Sequence, residues 1–136
     1  MNAVDTNVLF YARDTRVPAK RAVAASLIET LDDGVLLWQV ACEYLWASRK
    51  LEPFGYSAPR AFHDIRRLRR VWQTVIPDWS CIDRAEDLQT RFSLSYWDAL
   101  IIAACVEAGV ERLYSEDFGG QRMIESLEIV NPFAEV

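Results

Sequence analysis

Short apolar runs alternate along the chain with longer stretches in which apolar side chains recur every three or four positions. Residues 2–5, 35–38, 112–115 and 127–130 read as strands, with a fainter candidate around 74–76. The stretches between them read as helices at 6 to about 13, 18–31, 39 to about 51, 58 to about 72, 83 to about 92, and 96–108. Pro18 suits a first helical turn, and Gly109 suits the position just past a helix end. Ala22, Ala25, Ile28 and Glu29 share one face of the second helix, and Phe62, Ile65, Leu68 and Trp72 share one side of the fourth. Strands alternating with helices in this way predict an α/β domain built on a parallel sheet.

Composition narrows the picture. The 136 residues are 51% hydrophobic with only five Gly and five Pro, which fits one domain over 1–136 and excludes a disordered or collagen-like chain. Fifteen Lys+Arg against twenty Asp+Glu leave a net charge of −5, so a role on nucleic acid has to rest on a local site, not on a generally basic surface. The single histidine, His63, lies among arginines without a partner motif, which disfavours serine or cysteine hydrolysis with an imidazole base. Cys42, Cys81 and Cys105 are odd in number and lack paired spacing; their apolar neighbours predict small buried thiols. The first residues lack a basic and then apolar leader, and the longest apolar run, 99–106, falls short of the ~20 residues that span a bilayer. A cytoplasmic setting is expected.

Against this background four carboxylates stand out. Asp5 ends the first apolar run, Glu43 has Val40 and Trp46 as helical neighbours, Asp98 stands over Ile101, Ile102 and Cys105, and Asp117 follows the strand ending at Ser115. In a parallel sheet the strand carboxyl ends share one edge, where loops and helix starts meet at a crevice. Separations of 38, 55 and 19 residues bring each acid to that edge after one or two strand–helix units. Each has a plainer reading: Asp5 as a helix cap, Ser95–Asp98 as a capping box, Glu43 as a solvated helix residue, Ser115-Glu116-Asp117 as a polar turn. Together at one edge they would repel one another unless a cation shared the site, and Mg²⁺ or Mn²⁺ suits oxygen ligands. A divalent ion so held can polarise a phosphodiester and activate water.

These residues resemble the PIN-domain ribonuclease family, and within it the VapC-type toxins of toxin–antitoxin pairs. The resemblance runs through Val4-Asp5-Thr6-Asn7, Gln39 to Glu43, Tyr96-Trp97-Asp98-Ala99, Ser115-Glu116-Asp117 and the closing 127–133, in order along the whole chain. It implies a single PIN-like domain with a parallel five-stranded sheet, Mg²⁺ or Mn²⁺ dependence and endonucleolytic RNA cleavage. Asp5, Glu43, Asp98 and Asp117 would be the acidic ligands, with Thr6, Asn7 and Ser115 as polar neighbours. Glu116 competes with Asp117 for the fourth place; Asp117 is preferred because it falls two residues after Ser115. A homodimer and a cognate antitoxin are implied as well, the latter commonly blocking the cleft with a basic side chain.

Residues 60–70 carry five arginines against Asp64, and Arg66, Arg67 and Arg70 are candidate RNA contacts, the alternative being a solvated helix face. Trp38, Trp46 and Trp97 are expected in the core, and His63 on a helix surface. The competing readings are a catalytically silent PIN-like module and a receiver-like regulatory module. The second would need a phosphorylatable mid-chain Asp and a late Lys, and both lysines, Lys20 and Lys50, come early.

Overall fold

The computed structural model describes residues 1–119 and 122–136. The first four strands alternate with helices and the last three follow one another directly: β1 (Asn2–Val4), α1 (Thr6–Tyr11), α2 (Pro18–Thr30), β2 (Gly34–Leu37), α3 (Trp38–Ala47), a 3₁₀ segment (Ser48–Phe54), α4 (Ala58–Val71), β3 (Gln73–Val75), α5 (Ser80–Phe92), α6 (Tyr96–Glu107), β4 (Arg112–Tyr114), β5 (Arg122–Ile124) and β6 (Leu127–Val130). The sheet order is β3-β2-β1-β4-β6-β5. Five strands run parallel, as expected, and β5 adds an antiparallel edge against β6. The expected count of five strands is thus corrected to six. β5 is three residues long and is joined to β6 by a tight turn with Glu125 in the left-handed region, leaving no alternation for sequence to show.

Connections leave β1 towards β2 and leave β4 towards β6, so the chain reverses its direction of travel across the sheet between β1 and β4. In open α/β sheets the crevice beyond the carboxyl ends of such a strand pair is where ligands bind. The central strands are buried on both faces, β2 throughout its length. Gly34, at the start of β2, has no room for a side chain: an added Cβ would sit 2.2 Å from the Trp72 ring. α6 is apolar nearly all round, with Ala99 and every residue from Ile101 to Cys105 buried, and it ends at Gly109 with φ +73°, as Gly at that position predicts.

Several helical faces differ from their sequence reading. The helix expected to run to about residue 51 gives way to 3₁₀ geometry at Ser48, ahead of Pro53, and the one expected from 83 begins at Ser80. α3 carries apolar residues on every side except that of Gln39 and Glu43, so period alone leaves more than one possible inner face. Val40 and Tyr44 take the core, and Trp38, Cys42 and Trp46, on the opposite side, face out. The expectation of a buried Cys42 and of core Trp38, Trp46 and Trp97 is corrected accordingly: the three tryptophans are 57%, 71% and 65% exposed. On α4, Ala61, Ile65 and Trp72 pack inward while Phe62 is exposed beneath the Arg66 guanidinium. On α2 it is Ala24 that is buried; Ala22, Ala25, Ile28 and Glu29 line an open groove against α1 and α4. Among the described residues no helix is long and apolar enough to cross a membrane.

Candidate functional site

Asp5 lies just past β1, 3% exposed, and caps α1 by accepting the Thr6 backbone N–H at 2.7 Å. Its other oxygen accepts the Ser115 hydroxyl at 2.7 Å from the end of β4. Capping and site residence therefore coincide: one carboxylate starts a helix and faces the crevice between β1 and β4.

Glu43 reaches the same place from α3. Thr6 Oγ1 donates to one oxygen at 3.2 Å, and Gln39 Nε2 donates to the other at 3.0 Å. Gln39 also donates to the Trp97 carbonyl at 3.2 Å, which ties Glu43 to the start of α6. Asp98 stands in the first turn of α6, where Ser95 caps by accepting the Asp98 N–H at 3.2 Å and the helix dipole favours a negative charge. Its carboxylate has no hydrogen bond or ion pair among the described residues.

The loop after β4 separates the two competing acids. Asn7 Nδ2 donates to Asp117 Oδ2 at 3.2 Å, and the Asp117 N–H donates to Ser115 Oγ at 3.1 Å. Glu116 turns the other way. Lys20 Nζ pairs with it at 2.8 Å, and the Tyr11 hydroxyl donates to it at 2.9 Å. Sequence reasoning left Gln39, Tyr11 and Lys20 out. Gln39 stands four residues before Glu43 on a helix, a spacing that could have flagged it. Nothing in the sequence links Lys20 to Glu116.

Among the described residues no Arg or Lys pairs with Asp5, Glu43, Asp98 or Asp117. Burial first, with help from the Asp117 and Glu43 charges, pushes Asp5 up to about 6, against the pull of the Ser115 and Thr6 hydrogen bonds. Asp117 is raised as well, by burial and then by the Asp98 and Glu116 carboxylates. Seven described carboxylates belong to buried or partly buried residues; Asp14, Asp64, Glu116 and Glu128 each have an Arg or Lys partner, and Asp5, Glu43 and Asp98 have none. An all-oxygen donor set with unmet negative charge suits a hard divalent cation. No three of the four acids bring an oxygen each within 4.8 Å of one another, so direct ligation of one ion by three of them would require the side chains to draw closer.

A tighter cluster lies elsewhere. Asp78, Cys81 and Glu107 bring ligand atoms within 4.8 Å of one another near the start of α5 and the end of α6. Here the Ser80 hydroxyl touches both carboxylates and Arg84 pairs with Glu107 at 3.4 Å. The predicted arginines Arg66, Arg67 and Arg70 lie on the exposed side of α4, and none pairs with the four acids. His63 is exposed, as expected.

Sequence comparison with curated proteins found no match. Among solved structures the chain is similar to a chain of a toxin–antitoxin complex from Klebsiella pneumoniae, with 18% identity, TM-score 0.67, and 97% of this chain and 98% of that one covered. It is similar to VapC20 of Mycobacterium tuberculosis, a toxin that cleaves the sarcin–ricin loop, with 17% identity, TM-score 0.65, and coverage of 88% and 92%. A chain of VapBC2 from Rickettsia felis, bound to a DNA fragment from its promoter, gives 13% identity, TM-score 0.65, and coverage of 94% and 96%. These likenesses establish the fold. The PIN-domain model matches residues 3–123, a span that holds all four acids, and the chain belongs to the PIN-domain family.

Proposed function

We propose that this protein is a metal-dependent endoribonuclease, the VapC-type toxin of a toxin–antitoxin pair, working in the cytoplasm. The observation that carries the reading is that, among the described residues, no Arg or Lys pairs with the buried and partly buried acids Asp5, Glu43 and Asp98, whereas Asp14, Asp64, Glu116 and Glu128 each have one.

Asp5, Glu43, Asp98 and Asp117 would hold Mg²⁺ or Mn²⁺. When bound, the ion would polarise an RNA phosphodiester and activate the water that attacks it. The chain's own residues prepare the place. Ser115 and the Thr6 amide hold the Asp5 carboxylate in one orientation, Thr6 and Gln39 hold both oxygens of Glu43, and Asn7 holds Asp117. Asp98, unbonded, is the acid most free to follow a ligand. The acids repel bare phosphate, so cation binding would be needed for RNA to settle as well as to react.

Two open apolar surfaces support the partner expectations. Trp38, Trp79, Tyr96 and Trp97 border a cleft of about 580 Å³ beside the acids, a surface suited to a second copy. A groove of about 370 Å³ between α1, α2 and α4, with Leu9, Ile28 and Leu68 inside and Arg21 and Arg67 among its lining residues, suits an antitoxin segment. Arg66 and Arg70 would be free to meet RNA phosphates from α4. The deciding experiment is RNA cleavage by the purified protein. Cleavage should stop with EDTA and return with excess Mn²⁺, whereas cleavage indifferent to chelation would overturn the reading.

A further inference from the structure

Five carboxylates, not four, crowd the edge of the sheet, because Glu116 adjoins Asp117 and its charge reaches it. Glu116 is the one that is accounted for. Lys20 Nζ lies 2.8 Å from Oε2, and the Tyr11 hydroxyl donates to Oε1 at 2.9 Å. Lys20 is itself fixed, 4.6 Å from the Tyr11 ring centroid and 5.6 Å from that of Phe133, and those two rings meet edge to face at 5.1 Å. The clamp brings α2, α1 and the C-terminal segment to one side of a loop whose other side carries Asp117. The backbone turns sharply just beyond, with Phe118 and Gly119 both at φ +72°. A loop with consecutive left-handed residues and adjacent acids needs an outside tie to keep one carboxylate facing in and its neighbour facing away.

On the nuclease reading above, we infer that Lys20 is a positioning residue: it withholds Glu116 from the cation and so keeps Asp117 as the fourth acid. The prediction separates binding from turnover. Removing the Lys20 charge leaves Glu116 with the Tyr11 hydroxyl as its one remaining tie and its Oε2 released to turn towards the ion, so cation affinity rises while the geometry that serves the reaction is spoiled. A residue that merely supports the fold would lower both together.

The test uses the full-length protein, with Mn²⁺ binding followed by calorimetry and cleavage followed on a random-sequence RNA pool; thermal melts confirm that each variant is folded. Lys20→Met, which keeps the apolar stem against Tyr11 and Phe133, should bind Mn²⁺ about threefold more tightly. It should cleave RNA about tenfold more slowly. Glu116→Gln alone should resemble wild type, since its amide oxygen still accepts from Lys20 or Tyr11. Lys20→Met with Glu116→Gln should recover wild-type cleavage, because the freed group no longer carries charge. A folded Lys20→Met protein with unaltered Mn²⁺ affinity and cleavage, or a cleavage defect that Glu116→Gln fails to repair, would overturn the positioning role and leave the nuclease reading standing. Wild-type protein that neither binds Mn²⁺ nor cleaves RNA would overturn both.

Discussion

The two ends of α6 carry opposite solutions to the same problem. At its C-terminal end, Glu107 meets Asp78 and Cys81 in the tighter of the two clusters, and the chain completes that cluster itself with the Ser80 hydroxyl and the Arg84 guanidinium. At its N-terminal end, about 13 Å away along the helix axis, Asp98 joins Asp5, Glu43 and Asp117 in a looser group with hydroxyl and amide donors but, among the described residues, no Arg or Lys partner. Proximity of acids therefore says little about function. Closely spaced carboxylates are tolerable at a surface when a guanidinium and a hydroxyl answer them. Buried carboxylates whose charge nothing in the chain answers leave an energetic gap for a ligand to fill.

The sharpest way to break this contrast is to neutralise acids of the N-terminal group one at a time. Asp98→Asn and Asp5→Asn should each lower RNA cleavage by about 10²–10³-fold with the fold intact. Mn²⁺ affinity should fall in parallel. Cleavage within a few-fold of wild type in both variants would dissolve the distinction.

The next effect is on stability. Asp5 keeps its proton more readily in the folded chain, at about 6 against the ordinary 3.8, so ionising it works against the fold. That penalty is absent below the ordinary value, grows as pH rises between the two, and is complete above about 6. Between pH 3.8 and pH 7 the metal-free wild type should thus lose about 3 kcal/mol relative to Asp5→Asn. Denaturant melts of both proteins in EDTA measure the difference, and saturating Mn²⁺ should close it. A gap that does not change with pH would show that Asp5 is not strained by its charge.

Smaller again, Ser115→Ala removes the hydroxyl that donates to Asp5 and accepts from Asp117, and should lower cleavage about 10-fold, with Ser115→Thr restoring it. Equal rates in the Ala and wild-type proteins would make Ser115 a bystander. Smallest of all, Glu107→Gln should leave cleavage and Mn²⁺ affinity unchanged and cost at most about 1 kcal/mol, because its pairing with Arg84 is largely at the surface. A loss of Mn²⁺ binding in that variant would move the cation to the wrong end of the helix.

The residues alone determined the order of elements, the parallel sheet and the edge at which Asp5, Glu43, Asp98 and Asp117 gather. Those properties are written in local periodicity and in the fixed place of a strand's carboxyl end, both of which act within a few residues along the chain. The short β5 strand, the outward turn of Trp38, Cys42 and Trp46, and the exposure of Phe62 were settled only by packing: on a helix apolar on all but one side, such as α3, local chemistry leaves more than one candidate for the inner face. Asp117 was preferred to Glu116 for its place two residues after Ser115, whereas the pairing of Glu116 with Lys20, far away in sequence, is a contact that only the tertiary structure supplies. Pairings across such distances depend on where whole elements come to rest, and no short-range pattern encodes that.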